Sequence, residues 1–290
     1  MAEPADRFFE SQGLRLHYVD WGNETAPPLI LIHGGLDHCR NWDAIARALQ
    51  PHFHVVAPDL RGHGDSEWAK GSSYSLTDHV YDLGRLTRSL ALQDAAIIGH
   101  SLGGMISLAF AGTYPDRVSR LAVLDGAFLS SARPAPIHEQ MSRWIDQLDR
   151  ISEREPSAFR TIEEAAQRLS TRNKRLTPAQ ALHLARYGVR QDADGRYRWK
   201  FDHYQRARAP YRLSADDHTA LWSRITCPTL LMWGDESFLS NPEAAGLLSH
   251  FGQAEMVKIA GAGHWLHHDR LDVVLASLRR FLDAPPVQAR

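Results

Sequence analysis

Cysteine is almost absent: Cys39 and Cys227 are the only two in 290 residues. Two thiols with no C-x-x-C spacing exclude a disulfide framework, a zinc ribbon and a dithiol redox centre. Long apolar runs are missing as well. No window approaches roughly 18 uninterrupted apolar residues, so no membrane-spanning helix is predicted. There is no excess of one charge, with 33 Lys and Arg against 34 Asp and Glu and a formal net charge of −1. That balance gives no electrostatic basis for a nucleic-acid partner or an anionic membrane. The Arg-rich stretch from Arg133 to Arg212 interleaves its arginines with Asp and Glu, and reads as solvated helix faces. The opening residues MAEPADRFFE lack a basic and an apolar signal-peptide region, so a cytoplasmic protein is expected. No HExxH or comparable spacing is present, and neither a metal nor a cofactor is expected.

What is present is a set of short, continuous apolar runs, each ending at a glycine or a carboxylate. Pro28–Ile32, His54–Ala57, Ala95–Ile98, Leu121–Leu124, Thr229–Trp233 and Glu255–Ile259 read as strands covered on both faces. Arg7–Val19 alternates and reads as part of a hairpin. Helical patterns fall between the strands: Trp42–Leu49, Asp78–Leu90 with Thr77 as N-cap, Gly104–Ala111 and Leu271–Leu282. This alternation predicts an α/β fold with a mostly parallel central sheet and helices on both faces. Residues 126–224 break the rhythm. Ile137–Ile151, Ala158–Leu169 and Pro178–Tyr187 read as helices, and no buried strand is expected there. A helical insertion after the sixth strand, counting the hairpin, would lie over the sheet end where α/β folds place their sites.

Gly99-His100-Ser101-Leu102-Gly103 follows a strand and precedes a helix. In that context G-x-S-x-G is a nucleophile turn: glycines permit a strained backbone, and the helix N-terminus points at the reacting atom. A serine hydroxyl needs a base. His264, in the glycine loop Gly261-Ala262-Gly263 just after the last strand, is the candidate among 16 histidines. His267, His268 and Asp269 follow it and read as a solvated helix start. The backbone N–H groups of Gly35 and Leu102 are the candidate oxyanion donors.

With His33-Gly34-Gly35, PDLRGHGDS at 58–66, GHSLGG at 99–104 and GAGHW at 261–265, the chain resembles the α/β-hydrolase superfamily over nearly its whole length. The resemblance implies a core domain of residues 1–125 and 225–290 and a helical cap domain, 126–224. It gives Asp59 and Arg61 a structural turn rather than a catalytic role. Haloalkane dehalogenases and epoxide hydrolases of this fold use an aspartate nucleophile, and Ser101 argues against both. In most relatives the loop after the seventh strand reads Gly-x-x-Asp, and that aspartate orients the histidine. Counting from Gly234, the matching position here is Ser237. A second position known in the superfamily ends the sixth strand, as in some dehalogenases and a fungal-toxin lactonase. Asp125 stands there, 24 positions after Ser101. The expected acid is Asp125, with Asp235 and Glu236 as alternatives.

The expected activity is a serine hydrolase cleaving a small-molecule carboxylic ester or lactone through an acyl-enzyme. The alternatives are a cofactor-free acyltransferase or perhydrolase using the same residues, and a ligand-binding receptor on a hydrolase scaffold. Trp144, Tyr187, Tyr197, Trp199, Phe201, Tyr204 and Tyr211 could line the pocket or pack the cap core.

Overall fold

The computed structural model describes residues 3–71, 74–127, 129, 135–207 and 212–283. β1 (Ala5–Ser11) pairs antiparallel with β2 (Leu14–Asp20). Gln12 and Gly13 between them both have positive φ, 50° and 75°, the backbone of a tight hairpin turn. Next come β3 (Pro28–Ile32), α1 (Asp43–Leu49), β4 (His54–Pro58), α2 (Leu76–Ser89), β5 (Ala95–His100), α3 (Leu102–Thr113) and β6 (Val118–Leu124). An inserted segment follows with α4 (Ile137–Ser152), β7 (Ala158–Phe159), α5 (Ile162–Arg172), α6 (Pro178–Gly188), β8 (Val189–Gln191) and β9 (Tyr197–Trp199). The chain then returns to the core through α7 (Ala215–Trp222), β10 (Thr229–Gly234), β11 (Ala254–Ile259), α8 (Leu266–Asp269) and α9 (Leu271–Asp283).

Eight strands form one sheet in the order β1-β2-β4-β3-β5-β6-β10-β11, and every pair from β4 to β11 is parallel. The continuous apolar runs have a direct cause, because neighbouring residues of one strand serve opposite faces. Ile30, Ile97 and Leu231 join Leu83 and Leu86 of α2 and Phe110 of α3. Leu29, Ile98 and Leu230 join Ile45 of α1 and Val274 and Leu278 of α9. Each such side chain contributes roughly 1.5–3 kcal/mol on burial, so an interior strand with a polar face would forfeit one of its two layers.

Two expectations change. Ser75, not Thr77, caps α2: its hydroxyl accepts the Asp78 N–H and the Asp78 carboxylate accepts the Ser75 N–H. The capping box needs the acidic residue three positions after the cap, and Asp78 stands so relative to Ser75. The insertion, expected to be helical with no buried strand, also contains a three-stranded antiparallel sheet, β7-β9-β8. Its strands are two or three residues long and half-buried or exposed apart from Val189, too short for a periodic signal. Pairing of Ala158–Phe159 with β9 also delays α5, which is capped by Thr161 rather than beginning at Ala158. Thr177 and Pro178 open α6 as expected, with Gln180 completing a capping box.

The insertion is tied to the sheet end at many points. Trp68 Nε1 donates to the Lys200 carbonyl at 2.8 Å, Asn173 to Asp269 at 3.0 Å, and Arg175 pairs with Glu236. No helix among the described residues is long and apolar enough to cross a membrane.

Candidate active site

Ser101 occupies the turn between β5 and α3 with φ 52° and ψ −117°. A non-glycine residue rarely adopts this conformation, which costs of order 1–3 kcal/mol and persists only where its surroundings enforce it. Here they do. The Ser101 N–H is held by the Leu124 carbonyl at 3.0 Å. Glycines pack around the turn because nothing larger fits. A Cβ on Gly103 would lie 2.2 Å from the Ile32 carbonyl oxygen, and one on Gly126 would lie 2.7 Å from the Ser101 carbonyl oxygen.

Asp125 follows β6 with φ 48° and is pinned by its N–H to the Met232 carbonyl at 2.8 Å. His264 lies in the loop after β11. That loop is fastened by carboxylates: Asp235 accepts the Gly261 N–H and Asp269 accepts the Gly263 N–H, each at 2.8 Å. The three side chains meet in a line. Ser101 Oγ is 2.9 Å from His264 Nε2, and His264 Nδ1 is 2.5 Å from Asp125 Oδ2. Nδ1–H donating to the carboxylate leaves the Nε2 lone pair facing the serine hydroxyl, the tautomer a general base requires. Ser101 remains half-exposed, whereas His264 and Asp125 are buried.

Ser237 donates its hydroxyl to the same Asp125 Oδ2 at 2.5 Å, and its Oγ accepts the Leu239 N–H at 3.0 Å. The sequence marked Ser237 only as a departure from the usual acid; its hydroxyl reaches the carboxylate supplied by the neighbouring strand. Asp235 and Glu236 do not touch His264. Asp235 holds the histidine loop from behind, and Glu236 pairs with Arg175. The His264 ring is covered on one side by the largely exposed Phe238, with centroids 4.5 Å apart.

The stretch His267-His268-Asp269 is a correction. His267 is buried and stacked on Trp42 at 4.9 Å, His268 is half-buried, and the Asp269 carboxylate is buried. A polar tripeptide reads as solvated, but α8 is only one turn long and packs into the core beside α1 rather than onto the surface. His100 is likewise buried. Its Nε2–H donates to the His264 carbonyl at 2.9 Å, and burial with the nearby His264 ring lowers its pKa to about 3.

Gly35 and Leu102, the expected oxyanion donors, adjoin one another: a Cβ on Gly35 would point at Leu102 Cδ2, 3.9 Å away. Leu102 opens α3, so its N–H has no acceptor within the helix. The Gly35 loop is braced by His63 Nε2, which accepts the Leu36 N–H, and by His33 Nε2, which accepts the Leu60 N–H, both at 3.0 Å. Asp59 is buried in a separate network, accepting from His17, the Cys39 N–H and the Asp65 N–H. Arg61 is bound by Asp82. Neither residue reaches Ser101. His17, Cys39 and Asp59 offer ligand atoms within 4.8 Å of one another. Those of His17 and Asp59 are already hydrogen-bonded, and burial pushes the Cys39 thiol up, so it stays protonated.

Between the sheet end and the insertion lies a cleft of about 640 Å³. Its lining includes Gly35 and Trp265, the apolar side chains of Leu169, Leu176, Trp199 and Phe201, and Arg172 from the insertion. Ser101 and His264 adjoin it in sequence, through Gly35's partner Leu102 and through Trp265, but do not line it. Of the aromatic candidates, Trp199 and Phe201 face this cleft, Tyr197 packs on the small core of the insertion, and Tyr187 lies under Arg40. Tyr211 lies outside the described residues.

A family model for the alpha/beta hydrolase fold matches residues 27–271. The chain belongs to that family. It is 27% identical over 287 residues to epoxide hydrolase 4 of Mus musculus, covering 94% of this chain and 77% of that one. It is 27% identical over 265 residues to esterase YbfF of Escherichia coli strain K12, covering 88% of this chain and 93% of the relative. Among solved structures it is similar to the thioesterase domain from the curacin biosynthetic pathway, with a TM-score of 0.84, 27% identity, and coverage of 96% and 100%.

Proposed function

We propose that this α/β hydrolase is a serine esterase that cleaves carboxylic esters, lactones included, through an acyl-enzyme intermediate. The observation that carries the reading is the hydrogen-bonded line Ser101–His264–Asp125 at an open sheet end. His264 takes the hydroxyl proton as Ser101 Oγ attacks the carbonyl carbon, and Asp125 stabilises the imidazolium that forms. The oxyanion develops toward the N–H groups of Gly35 and Leu102, each such donor being worth about 3 kcal/mol in the transition state. His264 then returns its proton to the leaving alkoxide, or to the ring-opened alcohol of a lactone. Water attacks the acyl-enzyme with His264 again as base.

Three of the similar proteins bear on this choice. One is named an epoxide hydrolase, but the nucleophile position here holds a serine hydroxyl, which forms an acyl ester rather than an alkyl one. The others are named an esterase and a thioesterase, both of which act on acyl groups. The test is turnover of p-nitrophenyl butyrate with a pre-steady-state burst. Wild type should show it and Ser101→Ala should lose it; hydrolysis of an epoxide panel with no ester turnover would overturn the reading.

A further inference from the structure

Arg168 and Arg172 stand one turn apart on α5, and Arg172 lines the cleft. Arg206 lies over the ring of Phe201, 5.5 Å from its centroid, and Phe201 is itself a cleft wall. Several cations of the insertion are ion-paired: Arg160 with Glu164, Arg175 with Glu236, Arg198 with Asp194 and Lys200 with Asp65. The guanidinium groups of Arg168, Arg172 and Arg206 form no ion pair and no hydrogen bond with another described residue. They are close enough that burial, with the charges of Arg172 and Arg168, lowers the Arg206 pKa below its ordinary value. The interleaved carboxylates that the sequence seemed to promise this stretch do not reach these three.

Like charges one turn apart oppose helix formation. All three are exposed, so water screens their repulsion, and the cluster acts as a source of positive potential beside the cleft. Among the described residues, Asp37 is the one carboxylate lining the cleft. Its oxygens accept the His38 N–H at 2.9 Å and Asn41 Nδ2 at 2.5 Å, among the rings of His33, His38 and His268. The cleft thus presents Gly35, the proposed oxyanion donor, apolar walls and the Arg172 guanidinium, with Arg206 packed on the ring of the wall residue Phe201. A guanidinium fork matches a carboxylate with two parallel hydrogen bonds.

We infer that the substrate is an amphipathic ester or lactone whose cleft-bound part ends in a carboxylate held by Arg172 and Arg206. This rests on the acyl-enzyme reading and narrows its substrate class.

The first test compares kcat/KM for p-nitrophenyl half-esters of dicarboxylic acids, from succinate to sebacate, with kcat/KM for their neutral methyl diesters. Butyrate esters of ω-hydroxy acids place the carboxylate on the alcohol half instead. Wild type should prefer the anion in one of the two series. That preference should fall about tenfold or more in Arg172→Gln and in Arg206→Gln, and should shrink as salt rises. No preference in wild type, or one that survives both substitutions, overturns the inference. A second arm is independent of catalysis. Ser101→Ala protein is titrated by calorimetry with the inert monoamides of the same diacids and of their methyl esters. If no ester is turned over, the acyl-enzyme reading fails while this arm still judges the anion site. Roughly tenfold tighter binding of the acid, lost with either arginine, supports the site; equal binding of acid and ester removes it.

Discussion

Asp125 Oδ2 receives two donors, the His264 Nδ1–H and the Ser237 hydroxyl, while its Oδ1 has no partner among the described residues. The catalytic role proposed for this carboxylate therefore concentrates on one oxygen. Asp125→Asn keeps the shape but offers an amide that favours the wrong imidazole tautomer, and kcat is expected to fall by up to about ten-thousand-fold. Asp235→Asn should leave kcat within about tenfold, since Asp235 bonds the loop backbone and not the ring. If Asp235→Asn proves the crippling change, the assignment of the acid fails. Ser237 is a positioning residue in this account. Ser237→Ala removes one hydrogen bond to a charged group, worth about 1.5–3 kcal/mol, and should lower kcat by about tenfold or more at little change in KM. Ser237→Thr keeps the hydroxyl and should restore most of the rate; equal losses for alanine and threonine would reduce Ser237 to packing. Ser101 and His264 were legible because motif, glycine context and strand-end position converge on them. The Ser237 contact was not, because it joins the ends of β6 and β10, and no local pattern encodes which side chains meet across two strand ends.

At the scale of elements, the turn that carries Ser101 depends on backbone approaches that only glycine permits. A Cβ on Gly103 would meet the carbonyl oxygens of Ile32 and His33 at 2.2 and 2.6 Å. These are backbone atoms of β3 and its loop and cannot swing aside. Gly103→Ala is expected to cost about 3 kcal/mol or more by urea denaturation. Gly195 has φ 78° but open space around its Cβ direction, so Gly195→Ala should cost only about 1 kcal/mol. Comparable losses at the two sites would show that α3 does not press against β3 as the structure has it. The same tight layering explains what the sequence disclosed of the fold. Strands buried on both faces wrote themselves as apolar runs with little ambiguity. β7 is only Ala158–Phe159, β8 exposes Arg190 and Gln191, and β9 holds the half-buried Arg198. The three are stabilised by pairing and by the aromatic rings of Phe159, Tyr197 and Trp199, which short-range periodicity does not report.

Across the whole molecule, the buried histidines set the response to acid. Burial, with nearby positive charge, lowers His63 and His100 to about 3, and it also lowers His33, His79 and His267. As pH falls below about 6.5 the unfolded chain takes up protons at these positions and the folded chain does not. A group held well below its ordinary value then removes up to about 1.4 kcal/mol of stability per pH unit, and for His63 and His100 the loss continues to about pH 3. His17 acts with the opposite sign. Burial opposes its charge, but the carboxylates of Asp59 and Asp6 outweigh it and raise its pKa; its contribution is complete below 6.5 and is lost as pH rises through the raised value. Asp37 and Asp59 are held below the ordinary carboxylate range and stay charged throughout this window. Burial lowers His218 and His268 as well, so one histidine stands against seven. The net loss between pH 6.5 and 5 amounts to several kcal/mol, a large part of the 5–15 kcal/mol typical of a folded domain. The urea midpoint should therefore drop steeply over that interval. His79 isolates the cause, because neither of its ring nitrogens has a hydrogen-bond partner among the described residues. His79→Leu removes one titrating group without breaking a bond. It should raise the midpoint at pH 6 and flatten the slope by about 1.4 kcal/mol per unit; an unchanged slope would mean that His79 takes up its proton in the folded protein as readily as in the unfolded one.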